Sequence, residues 1–272
     1  MACGLLACLV TAGAAAQEGA EETGQVEEPA PEPYAFSSDR PGFWNTTQIA
    51  PQLGLISELS VTMATDEEAG TRAFTLLTPT ARLRTGVLEW LELRIDLPSF
   101  SYAAVNGSED AIGLDDMVLA VKLATQLTEN VRLALIPSLS LPTGSALPSG
   151  ARFGAADVRA RVGVNLEWDM PGGLWSAYHL SVDTFEVTEA PSGTRLLEGV
   201  GNVAFGYTFI ERLALFLQGY VLLVDGLAPR GFVGGGFTVQ VTDRVQIDLF
   251  YDQGVTEDDS RSIFGFGTTV GW

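Results

Sequence analysis

Phe264-Gly265-Phe266-Gly267-Thr268-Thr269-Val270-Gly271-Trp272 ends the chain, and its alternation decides the fold. Counting back by twos from Trp272 gives Val270, Thr268, Phe266 and Phe264. The residues between are Gly271, Thr269, Gly267, Gly265 and Ile263. Successive side chains of a strand point to opposite faces. One face of this strand is therefore apolar and aromatic, and most of the other is small. If the aromatic face meets lipid, the rest of the chain should repeat the pattern.

The pattern does repeat. From Gln48 onward, twelve segments alternate with a period of two, separated by turn chemistry. Val158, Ala160, Val162, Val164, Leu166 and Trp168 alternate with Asp157, Arg159, Arg161, Gly163, Asn165 and Glu167. Val131, Leu133, Leu135, Leu139 and Leu141 do so with Arg132, Ala134, Ile136, Ser138 and Ser140. No segment carries a 3.6-residue period over a globular helix length. The connections fall into two classes. Gly86–Glu89, Gln126–Glu129, Asp169–Gly173, Ile210–Arg212 and Thr242–Arg244 are short. Ala64–Gly70, Ser101–Ile112, Thr143–Arg152, Thr188–Leu196, Gly226–Pro229 and Gly254–Asp259 are mostly longer and rich in Gly, Pro and acid.

Short turns at one end and long loops at the other are the asymmetry of a bacterial outer-membrane barrel, and an aromatic last strand is similar to the terminal signature of such barrels. The expected fold is all-β: a transmembrane antiparallel up-and-down β-barrel of about twelve strands. An even strand number returns both ends of the chain to the short-turn, periplasmic side. Trp90, Trp168, Trp175 and Trp272 all fall at short-turn ends, with Trp44 just before the first strand. Indoles favour the headgroup level, so they are expected to form a membrane-interface girdle. A soluble β-sandwich is the architectural rival, but it would leave long edge strands.

The 272 residues include 34 acids and 15 bases, a net charge of −19. That balance disfavours nucleic acid as a partner. Residues 1–16 are expected to be a secretory signal: Gly4 to Val10 are mostly apolar, and Ala14-Ala15-Ala16 offers a small-residue cleavage site. The usual positive n-region is missing, which fits a truncated or misplaced start. Cys3 and Cys8 both lie in this segment, so the remainder carries no thiol chemistry. Residues 17–43, rich in Glu, Pro, Ala and Gly at their start, are expected to be a disordered periplasmic lead-in. The barrel is expected over 44–272. No window supplies the apolar run of a spanning helix, which a barrel does not need.

Strand parity sends Arg82, Arg84, Arg94, Lys122, Arg132, Arg159 and Arg161 inward, as pore-lining residues. Glu92, Asp96, Asp157 and Glu167 join them on the same wall. The opposite wall supplies Asp183, Glu198, Asp248 and Asp252. Pairing around Gly86 sets Arg84 opposite Glu92 and Arg82 opposite Arg94, and pairing around Gln126 sets Lys122 opposite Arg132. Like charges facing each other destabilise a sheet, so lumen acids or a wet pore must offset them. The result would be a positive strip facing an acidic wall. His179, the one histidine, shares its inward face with Ser181 and Asp183. A lumen position suits a polar wall residue better than a lipid-directed nucleophile pair. Asp115-Asp116 and Glu257-Asp258-Asp259 do not match a calcium-loop spacing, so no metal is expected. Gly234-Gly235-Gly236, within a strand pattern, is expected to mark a bend or a bulge.

Asp39-Arg40-Pro41-Gly42-Phe43 resembles the Asp-Arg-Pro-acid-Phe opening of the family named for the MetA pathway of phenol degradation, a group of outer-membrane transporters. Gly54 and Glu58, the hairpin from Leu83-Arg84-Thr85-Gly86 to Glu92-Leu93-Arg94, Asp115-Asp116 through Lys122, and Leu141-Pro142-Thr143-Gly144 follow in that family's order. Gly42 stands where the family has an acid. The resemblance implies a passive conduit in a Gram-negative outer membrane for small, aromatic or hydrophobic molecules. Two alternatives stay open: a membrane-embedded barrel enzyme acting on lipid, and a plugged structural barrel without transport. No cofactor is implied. The expected partners are lipid, the barrel-assembly machinery and a small-molecule solute. Deleting Phe266 to Trp272 is expected to leave secreted but unassembled protein. Normal heat-modifiable barrel in membrane extracts of the deletion would show that the last strand is not the closing element.

Overall fold

The computed structural model describes residues 38–40, 44–68, 71–105, 110–145, 153–154, 157–186, 195–210, 212–256 and 261–272, all within one compact unit. The expected signal, the lead-in up to residue 37, Pro41-Gly42-Phe43 and Glu257–Asp259 lie outside the described residues.

Twelve antiparallel strands follow one another around a closed ring. They are β1 Leu55–Glu68, β2 Thr71–Leu88, β3 in two pieces, Leu91–Leu97 and Phe100–Val105, and β4 in two pieces, Ala111–Leu114 and Met117–Thr128. Next come β5 Val131–Leu141, β6 Arg159–Asp169, β7 Leu174–Glu186 and β8 Arg195–Ile210. The last four are β9 Leu213–Val224, β10 Arg230–Thr242, β11 Val245–Gly254 and β12 Ser262–Gly271. β3 is interrupted at Pro98-Ser99, where proline has no amide to donate to the ladder. The ring closes where β12 pairs with β1: Gly271 faces Ile56, Phe266 faces Val61, and the Trp272 amide donates to the Leu55 carbonyl at 2.8 Å. Closure removes every sheet edge that lipid could not hydrate.

Strands reach further at the long-loop end than alternation indicates. β1 runs to Glu68, and Phe100–Val105 and Ala111–Leu114 are paired strand inside the expected Ser101–Ile112 loop. Main-chain pairing continues there although runs such as Ala103-Ala104 blur the polar–apolar pattern of the sequence. At the short-turn end the connections are tighter than expected, and the register shifts at Gly86/Leu88, Gln126/Thr128, Thr208/Ile210 and Gln240/Thr242. These bulges move the cross-strand partners. Arg84 faces Arg94, Arg82 faces Asp96, Glu92 faces Gly86 and Lys122, and Arg132 faces Gln126. The pairings of Arg84 with Glu92, Arg82 with Arg94 and Lys122 with Arg132 are therefore corrected. Gly234-Gly235-Gly236 is neither bend nor bulge, because its pairing with β9 and β11 is unbroken. Gly236 is needed for another reason: a Cβ there would stand 2.9 Å from the Phe216 ring.

The two faces separate cleanly. Val162 is 50 % exposed and Leu180 67 %, while the neighbouring Gly163 and Ser181 are buried. Trp90, Trp168 and Trp272 are exposed at the short-turn end. Trp175 is corrected to the interior. It shares the parity of Ala177 and His179, sits opposite Gly206, and packs on Trp44 with ring centres 5.6 Å apart. Trp44 is likewise interior, edge-on to Phe216 at 5.0 Å. These rings, with Ala177, Ala204 and Phe250, form the apolar core. Val162→Arg is expected to cost roughly 2–4 kcal/mol of membrane stability, as a cation set into lipid near mid-strand. Val200→Arg, which faces an interior cavity beside Glu198 and Asp183, is expected to cost less. Equal losses on urea unfolding in lipid would show that the assigned faces are wrong.

Candidate functional site

The chain ahead of β1 enters the barrel. Ser38, Asp39 and Arg40, counted in the expected lead-in, lie in the interior. Asp39 is buried where it meets four cations of β2, β3 and β4. Its Oδ2 lies 2.7 Å from Arg94 Nη2, 3.4 Å from Arg84 Nε and 3.4 Å from Arg82 Nη1, and its Oδ1 accepts from Lys122 Nζ at 3.3 Å. Wall carboxylates complete the cluster. Glu92 accepts from Arg84 Nε at 2.9 Å and Arg94 Nε at 2.7 Å, Glu58 from Arg84 Nη1 at 2.9 Å, and Asp96 from Arg82 Nε at 2.6 Å. Four cations thus meet four carboxylates. The positive strip expected from parity is neutralised, because Asp39 and Glu58 add their carboxylates to those of Glu92 and Asp96.

The backbone of the inserted segment is tied to the same groups. The Asp39 amide donates to Glu58 Oε1 at 2.8 Å, Thr46 N to Asp39 Oδ1 at 3.0 Å, and Ala50 N to Glu92 Oε2 at 2.7 Å. Asn45 Oδ1 accepts from Arg82 at 3.0 Å and Arg94 at 3.1 Å. At the short-turn end Thr47 donates to Glu167, and Arg132 reaches Asp169 at 2.7 Å and Glu167 at 3.6 Å. Burial alone would raise the Asp39 carboxyl pKa. Arg84, Arg94, Lys122 and Arg82 outweigh it and hold the group far below the usual carboxylate range.

The far wall is more neutral than its acids suggest. Asp183 is shared by Arg159 at 2.9 Å and Arg161 at 3.0 Å, and Glu198 lies 3.8 Å from Arg161. Asp157 lies half-buried just ahead of β6. Asp248 meets Arg40 of the inserted segment at 3.4 Å. Asp252 accepts from Gln218 Nε2 at 2.8 Å and Tyr220 Oη at 3.5 Å. His179 stands between Asn165 Oδ1 at 2.5 Å and Ser181 Oγ at 3.1 Å. This row faces the lumen, whereas a lipid substrate would lie on the opposite side of the sheet.

Cavities remain around the inserted segment. One of about 380 Å³ is bounded by Arg82, Arg161, His179 and Ser181 on its polar side and by Val118, Ile136, Val200 and Leu222 on its apolar side. A second, of about 400 Å³, reaches Asp115, Asp116 and Ser99 toward the long-loop end. Another, of about 230 Å³, lies among Arg132, Asp169, Trp175 and Gln246 at the short-turn end.

The profile of the family described as "Putative MetA-pathway of phenol degradation" matches residues 38–271. The chain belongs to this family. No curated protein sequence matches it. Among solved structures, an outer-membrane channel of Pseudomonas putida F1 superposes with a TM-score of 0.69 at 14% identity, covering 86% of this chain and 99% of that one. The translocator domain of the autotransporter NalP from Neisseria meningitidis gives 0.53 at 15% identity, over 81% of this chain and 88% of that one. The β-domain of the Bordetella autotransporter BrkA gives 0.54 at 12% identity, over 80% and 99%. The fold is that of a Gram-negative outer-membrane barrel.

Asp39→Asn leaves four cations against three carboxylates, and is expected to cost on the order of 3–5 kcal/mol, as removal of one partner from a buried ion cluster does. The sign with pH follows from the depressed carboxyl. Its stabilisation is complete above the free value of 3.8 and is lost as pH falls through the lower folded value. The difference in thermal midpoint between wild type and Asp39→Asn should be constant from neutral to mildly acidic solution and should narrow only below 3.8. A gap that closes well above that pH would show that Asp39 is not held ionised.

Proposed function

We propose that this barrel is a passive conduit for small molecules that combine an apolar body with a polar group. The observation that carries this is the partitioned lumen. Around the inserted residues cavities remain: two border Trp44, and another, beside Asn45, is bounded by aliphatic side chains along one flank and by Ser181, His179 and arginines along the other. A filled interior of the kind seen in small barrels would have no such space. Family membership supports the same reading, as does the description of the Pseudomonas putida F1 relative as an outer-membrane channel. The family's description points to aromatic compounds, and the cavity of about 380 Å³ is of a size to admit one ring with a hydroxyl or carboxyl group.

One observation favours a second reading, that of a plugged structural barrel. The ion cluster at Asp39 seats the inserted segment firmly, and a seat that never shifts would block all but the smallest solutes. Liposome swelling with the full chain separates the two. Phenol and benzoate are expected to enter faster than a disaccharide, and both faster than into protein-free vesicles. Rates equal to protein-free vesicles for every solute would leave the structural barrel.

A further inference from the structure

We infer that Arg40 is the movable half of the septum dividing the lumen and sets its charge preference. This rests on the conduit reading above. Arg40 borders three separate cavities: the one at Asp115 and Asp116, a fourth of about 550 Å³ between β1, β2, β11 and β12, and the short-turn cavity. Trp44 borders the first and last of these. Among the described residues, the cavity at His179 meets the one at Asp115 and Asp116 along Asn45, Arg82 and Arg161, and that cavity in turn meets the short-turn cavity at Arg40 and Trp44.

The two septum residues are held very differently. Trp44 is buried and clamped between Trp175 and Phe216. The Arg40 guanidinium has one side-chain partner among the described residues, Asp248 Oδ1, at a long 3.4 Å. Its buried Nε has no acceptor, and Asp248 Oδ2 has no donor. The wall behind it is Gly267, where a Cβ would stand 2.5 Å from Arg40 Nε. The guanidinium therefore sits against bare backbone on a single stretched contact, with open volume on both sides. Rotation of this side chain joins the cavities without unseating Asp39. A cation tethered beside the passage also favours anions over cations, as charged rings do in other pores.

The test is bilayer recording of the full chain. Arg40→Gln is expected to raise conductance and to move the permeability ratio toward cations by roughly fivefold, the effect of one unit charge a few ångströms from a passing ion in water-like surroundings. Arg40→Lys should keep the wild-type charge preference. Asp248→Asn removes the one tether but keeps the cation, so conductance should rise without a shift toward cations; it carries the test if Arg40→Gln fails to assemble. Unchanged conductance and selectivity in Arg40→Gln, with wild type conducting, would overturn the septum and leave the conduit standing. Silence from wild type and all three variants would overturn both.

Discussion

Four cationic side chains packed on one interior wall constrain everything else in this barrel. Arg82, Arg84, Arg94 and Lys122 come from three adjacent strands, and Arg84 and Arg94 face each other across the ladder. A buried cation without a partner is far costlier than a surface one. The wall offers Glu58, Glu92 and Asp96, one carboxylate short. The fourth arrives from outside the sheet, on Asp39. Wall and inserted segment are thus one electrostatic unit, and neither is neutral alone.

The remaining interior follows from that division. With its charges matched around Asp39, the β2–β4 wall binds the inserted segment through both side chains and backbone amides. The β6–β8 wall carries a row of neutral polar groups, Asn165, His179 and Asn202, in register across three strands. Such groups hydrogen-bond one another without demanding a fixed counterion. The cavity of about 380 Å³ opens between the two walls, with Arg82 and Asp96 on one side and His179 and Ser181 on the other.

Strand number, strand faces and the closing strand were legible because lipid outside and polar groups inside enforce a strict period of two. Val162 and Gly163 show it in one step. Register was not legible, since a single bulged residue beside four of the five short turns, as at Val87 or Leu127, slides every partner along the hairpin while leaving the faces unchanged. The position of Ser38 to Arg40 and Trp44 to Ala50 was hidden for a different reason. An inserted coil has no period, and its fit depends on residues up to 231 positions away, as in the Ser38–Thr269 hydroxyl contact. One signal was present: inward cations facing one another required an acid from elsewhere, and Asp39 stands just before the first strand. Trp175 lies inside because its parity with Ala177 and His179, and not its position at a strand end, sets its face.

The place of the insert in the chain also orders assembly. Asp39 reaches its cations within 83 residues, so its seat can form as soon as the first four strands have paired. Arg40 and Asp248 are 208 residues apart and can meet only when the last hairpin arrives. The ion cluster is a local nucleus, and the Arg40 contact belongs to the slow, non-local end of folding. A chain stalled before its C-terminal strand would already hold its cork in a half-built bottle, with an open seam on each side and its cationic wall already screened.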